Sequence, residues 1–151
     1  MTTTDYSISK SVKNSPEEAF SAITDRIPDW WSREFEGAGN QVGGSFTVRF
    51  GSHDQSYKTM KIVKLDAGKE VVWECTDAFI NLPDLNNKKE WIGTKIVWSI
   101  DKTDEGSMIT LTHEGLTTSF ECYEICEAGW NSFFSSLVKL LVTGTGTPYS
   151  H

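Results

Sequence analysis

The chain has 151 residues, 38% of them hydrophobic and 12% aromatic, which suits a single domain (1–151) able to bury its own core. Its 21 acidic residues outweigh 14 basic ones, for a net charge of -7. That balance repels phosphate backbones and anionic headgroups, so nucleic acid and membrane headgroups are poor partner candidates, and no membrane insertion is expected. No apolar run reaches the length of a membrane span, and "MTTTDYSISK" lacks the core of a signal peptide, so the expected compartment is the cytoplasm.

Taken in chain order, "DYSISKSVKNS" (5–15) alternates as a first strand should. "SPEEAFSAI" then carries a capping box: Ser15 as N-cap, Pro16 at the first helical position and Glu18 three residues after the cap. This helix should end near Asp25, because Pro28 disfavours helix at Ile27. "PDWWSREF" predicts a second short helix, with Trp30 and Trp31 turned to the core or its rim. From Phe35 to Gly115 the period becomes two. "FEGAG" is a short strand. "SFTVRFG" (45–51) puts Phe46, Val48 and Phe50 on one face. "SYKTMKIVKLD" (56–66) is a long strand whose faces are hard to tell apart. "KEVVWECTD" (69–77) aligns Val71, Trp73 and Cys75, and "EWIGTKIVWSID" (90–101) aligns Ile96, Trp98 and Ile100. "GSMITLTHEG" (106–115) aligns Ile109, Leu111 and His113. The connections "DAGK" and "DKTDEG" are hairpin turns, which predicts an antiparallel meander.

From Ser119 to Val142 the apolar residues return at helical spacing, through Phe120, Tyr123, Cys126, Trp130, Phe134, Leu137 and Leu141. Gly144 closes this helix and Pro148 prevents its continuation. The sum is an α+β arrangement: a curved antiparallel sheet of about six to seven strands around one long C-terminal helix, with two short helices after the first strand. Three cysteines make no disulfide framework. Cys122 and Cys126, without a CxxC spacing, are read as small buried hydrophobes.

Several of these stretches resemble proteins related to the activator of heat-shock protein 90 ATPase, within the START-like, birch-pollen-allergen-like superfamily. The resemblance runs through "SPEEAFSAITD", the Trp pair after it, "GGSFTVRFG", "MKIVKLDAGKEVVWEC", "THEGL" and "GWNSFFSSLVKLLVTGTGTP". It implies a helix-grip fold with a cavity between the long helix and the sheet. Its members include co-chaperones, lipid carriers and polyketide cyclases, so the fold by itself assigns no activity.

"TLTHEGL" (110–116) holds the only candidate for catalysis, His113. In a strand, neighbouring side chains face opposite ways, so His113 joins Ile109 and Leu111 inside while Glu114 looks outward with Thr112. A His–Glu dyad would need a bulge at Gly115. His113 alone is a core histidine bonded to a carbonyl or hydroxyl, the polar anchor of a cavity, or a general acid or base of the cyclase or hydratase kind. Trp73, Trp98, Trp130, Phe50 and Phe134 project from inner faces, with Trp31 at the core or its rim. They either pack a core or line a pocket for an apolar or aromatic small molecule or a lipid. "DAFINLPDLNNKKEW" (77–91), with Phe79, is too long for a hairpin turn and is either an edge cover or a lid; its "NNKKE" is read as a solvated turn. His53 in "GSHDQS" and His151 form no cluster with His113, so no metal site is expected. "GAGNQVGG" leads into a strand without a following Lys, and so is no phosphate loop. No cofactor is expected. The expected partner is an apolar small molecule, with a chaperone as the alternative, and the oligomeric state is open.

Overall fold

β1 (Tyr6–Val12) leads into α1 (Pro16–Asp25) through the cap that its residues prescribe. The Ser15 hydroxyl accepts the Glu18 amide at 3.1 Å, and the Glu18 carboxylate accepts the Ser15 amide at 3.1 Å. The computed structural model describes residues 5–50, 56–83 and 85–149. His53 and His151 lie outside them. α2 (Ile27–Trp30) is a single turn, shorter and earlier than "PDWWSREF" predicts. The chain leaves it because Ser32 bridges to Tyr149 and donates its hydroxyl to the Arg49 carbonyl at 2.7 Å.

The remaining strands are β2 (Phe35–Gly37), β3 (Ser45–Phe50), β4 (Ser56–Asp66), β5 (Glu70–Phe79), β6 (Lys95–Lys102) and β7 (Ser107–Glu114). They form one antiparallel sheet in the order β1-β7-β6-β5-β4-β3-β2, the meander expected, with β1 added at the β7 edge. Two irregularities interrupt the β4–β5 ladder. Pairing passes from Thr59–Asp77 to Met60–Cys75, which leaves Thr76 as an extra residue on β5. Beyond it the inward parity of β5 flips. Ala78 and Ile80 are buried, and Phe79 stacks on Tyr57 at 6.3 Å. The second irregularity makes Val63 the extra residue on β4, which is why that strand's alternation is hard to read.

α3 (Tyr123–Thr143) starts four residues later than the spacing predicts. Its N-cap, Cys122, makes no side-chain cap bond. The Glu90 carboxylate accepts the amides of Glu121 and Cys122 instead, at 3.1 and 3.3 Å. At the other end Gly144 has φ 88°, and its amide reaches the Leu140 carbonyl at 2.8 Å, a left-handed cap for which glycine is suited. α3 lays Trp130, Phe134, Leu137 and Leu140 on the concave face of the sheet, all buried. At roughly 1.5–3 kcal/mol for each buried side chain, this packing outweighs intrinsic propensity as the reason for the helix.

The interior is mostly rings. Trp31 stacks on Trp73 at 5.9 Å, and Trp73 meets Trp98 edge-on at 5.7 Å. Trp98 stacks on Phe134 at 6.3 Å, and Trp130 stacks on Trp91 at 5.8 Å. Trp30, held by a bond from its indole nitrogen to the Ala22 carbonyl, stands edge-on to Trp98. The middle of the grip is therefore filled.

Candidate functional site

His113 is fully buried and Glu114 is exposed, so the two face opposite ways. Gly115, at φ 101°, ends β7; a Cβ there would come within 2.9 Å of the Thr94 side chain. Both ring nitrogens of His113 are engaged. The Trp130 indole N–H donates to Nδ1 at 3.0 Å, and Nε2 is 2.8 Å from the Thr94 hydroxyl. An indole nitrogen can only donate, so Nδ1 is the acceptor and the proton sits on Nε2. Thr94 receives that proton's bond and passes its own to the Trp91 carbonyl at 2.6 Å. Each donor in this chain is used once. Burial, with the charge of Lys58 second, pushes the His113 pKa down to about 3, so the ring is neutral at physiological pH. With no exposed atom and no spare nitrogen, this histidine ties α3 to β7 and to the segment before β6.

The space that the rings leave empty lies to one side of His113. It is a pocket of about 240 Å³, partly open to solvent. The rings of Trp31, Phe50, Trp91, Trp130 and Phe133 line it. Ile80, Leu82 and Ile125 add aliphatic surface to its lining, and Gly129 of α3 lines it with nothing within 4 Å of where a Cβ would stand. Two polar side chains of β4 line it, Ser56 and Lys58. They share the inner face with Met60 and Ile62, two residues apart each time. The Lys58 ammonium lies 4.6 Å from the centroid of the Phe50 ring and 4.7 Å from that of Trp91. Lys58 keeps some exposed area, yet desolvation of its ammonium holds its pKa below the usual lysine value.

Between β5 and β6, Ile80, Leu82 and Trp91 line the pocket, and residues 86–90 are clamped to the start of α3. Glu90 caps the start of α3, and in return the Glu121 carboxylate accepts the amides of Asn86 and Asn87 at 3.2 and 2.7 Å. These amide bonds hold the Glu121 pKa below its usual value. "NNKKE" is thus a tether between two elements, where its composition suggested a solvated turn. Ile80, Leu85 and Trp91 are buried, so the segment both covers the sheet and walls the pocket. All three cysteines are free and buried. Cys126 also lines the pocket and receives the Trp91 indole N–H at 3.2 Å. Among the described residues no three His, Cys, Asp or Glu side chains are grouped to hold a metal. No helix in them is long and apolar enough to cross a membrane.

Of the residues singled out in the sequence, Trp31, Phe50 and Trp130 line the pocket. Trp73, Trp98 and Phe134 pack against one another behind it, and the indole nitrogens of Trp73 and Trp98 have no hydrogen-bond partner. His113 supports the wall without reaching the space, and Phe79 faces away. Ser56, Lys58 and Trp91 are among the lining residues that the motifs missed. The alternation of 56, 58, 60 and 62 was the available signal for Lys58. Nothing local marked Trp91, whose place depends on the clamp.

A sheet gripping one long helix, with two short helices after the first strand and a pocket lined from both sheet and helix, defines a START-like helix-grip domain. Residues 13–142 match the family described as activator of Hsp90 ATPase homolog 1-like protein, and the chain belongs to that family. It is similar to the Aha1 dimer from Colwellia psychrerythraea, solved in solution, with 26% identity over 97% of this chain and 100% of that one and a TM-score of 0.70. The Mll3558 protein from Rhizobium loti is 15% identical over 91% of this chain and 96% of that one, with a TM-score of 0.73. MLL2253 from Mesorhizobium loti is 16% identical over 90% of this chain and 95% of that one, with a TM-score of 0.71. These last two share the fold alone. No curated protein matches the chain.

Proposed function

We propose that this protein binds a small, ring-containing apolar molecule in the pocket between Trp91, Trp130 and Phe50. The observation that carries the reading is a mostly apolar space of about 240 Å³ beside a packed cluster of rings. An apolar cavity of about 150 Å³ already holds benzene. A space of about 240 Å³ therefore suits one ring with a short tail and is small for a long-chain lipid. His113 serves by holding Trp130 in place, and the direct polar contacts come from β4. The test is calorimetric titration and thermal shift with a panel of one-ring compounds, on the protein as it stands and on Gly129→Leu. A ligand at a hundred times its dissociation constant stabilises by roughly 2.7 kcal/mol, which is a rise of about 5–10 °C for a chain of this size. Gly129→Leu fills the space, so it should abolish the shift while remaining folded. A panel without a binder, or undiminished binding by Gly129→Leu, refutes the reading.

A second reading follows from the family and from the resemblance to an Aha1 protein at 26% identity: an interaction module for an Hsp90-type chaperone. Its test is ATP hydrolysis by the chaperone of the same organism. A several-fold rise on adding this protein supports the reading, and an unchanged rate removes it.

A further inference from the structure

Resting on the pocket reading, we infer that the ligand carries a carboxylate, held by the Lys58 ammonium and the Ser56 hydroxyl. A cation taken out of water needs something to offset the lost hydration. Lys58 meets two ring faces, Phe50 at 4.6 Å and Trp91 at 4.7 Å, and both rings are walls of the pocket. Ring quadrupoles offset a part of the cost. The ion pairs among the described residues join other side chains, and none of them includes Lys58. Among the described residues no acidic side chain is paired with this ammonium, which stands beside an apolar space.

Ser56 supplies the second contact. Its oxygen accepts the Asn81 amide at 2.9 Å, which uses a lone pair and leaves the hydroxyl proton for a ligand. Ser56 and Lys58 are two apart on β4 and line the same pocket, so one donor and one cation stand side by side on a single strand face. A carboxylate, with one charge and two acceptor oxygens, matches one ammonium and one hydroxyl. A phosphate monoester brings close to two charges against a single cation and matches less well. The alternative counter-charge is the Cys126 thiol, which lines the same pocket. Were it ionised, Lys58 would already be paired and an acid would gain nothing over its amide.

The test compares 4-phenylbutyrate with 4-phenylbutyramide, the same ring and tail with and without the charge, by titration calorimetry on the full chain. The acid should bind at least tenfold more tightly. In Lys58→Met this preference should vanish while the amide keeps its affinity, and Ser56→Ala should weaken the acid more than the amide. An acid preference below tenfold in the unmutated protein, with the amide still binding, overturns the carboxylate inference and leaves the pocket reading standing. Failure of both compounds removes the two together. The comparison on the unmutated protein decides the question even if a variant fails to fold.

Discussion

Lowering the pH from 7 to 5 should weaken the fold by an amount that belongs to His113. In the folded state its Nδ1 accepts the Trp130 N–H, and burial holds the ring's pKa near 3, down to about 3 from an ordinary 6.5. The unfolded chain therefore takes up this proton first. The histidine's contribution is complete above the unfolded value and is lost as the pH falls through 6.5 towards 3. Over the two units from pH 7 to 5, the linkage integral gives a loss of roughly 2 kcal/mol, or about 4–8 °C for a chain of this length. His113→Leu removes the titrating group and leaves the Trp130 N–H without its acceptor. It should cost about 1–3 kcal/mol at pH 7 and then change little down to pH 5. Urea unfolding of both proteins at pH 7, 6 and 5 reads the two curves, and the gap between them should close by roughly 2 kcal/mol. His53 and His151 are present in both chains and cancel in the comparison. Parallel losses with pH in the two proteins would refute the neutral, doubly bonded histidine.

Thr94→Val keeps the shape but removes the acceptor for the His113 Nε2 proton, and should cost about 1–3 kcal/mol in urea unfolding. Gly129→Ala puts a methyl group into open space within a helix, so it should stabilise the protein by about 0.5–1 kcal/mol, read as a higher melting temperature. Glu121→Ala unties the segment that walls the pocket; hydrogen exchange at the Asn86 and Asn87 amides should speed up while the amides of β6 and β7 stay protected. Lys58→Met exchanges a desolvated ammonium for an apolar side chain of similar length, and should leave the protein at least as stable by the same urea assay.

Much of the architecture was legible from local chemistry. The Ser15–Glu18 box, Gly144 as the left-handed cap and the period-two runs of β3, β6 and β7 each act over a few residues, so their meaning survives without knowledge of the fold. The same parity argument separated His113 from Glu114. Where α3 begins was not legible, because its cap is supplied by Glu90, more than thirty residues earlier. Phe79 is expected in the segment that joins two strands, yet it ends β5, where the extra residue Thr76 reverses the faces and turns it from the pocket; a bulge is a property of two paired strands.

The site divides in the same way. The sequence alone determined which rings would face inward: Trp73, Trp98, Trp130 and Phe134 are all buried. Only the tertiary structure decided that Trp73, Trp98 and Phe134 fill one another's gaps while the space remains farther along, beside Trp91, Trp130 and Gly129. Periodicity assigns a side chain to a face, which is a one-dimensional property. A void is what remains when two curved surfaces and a clamped loop have been packed together, and that depends on volumes brought from distant parts of the chain.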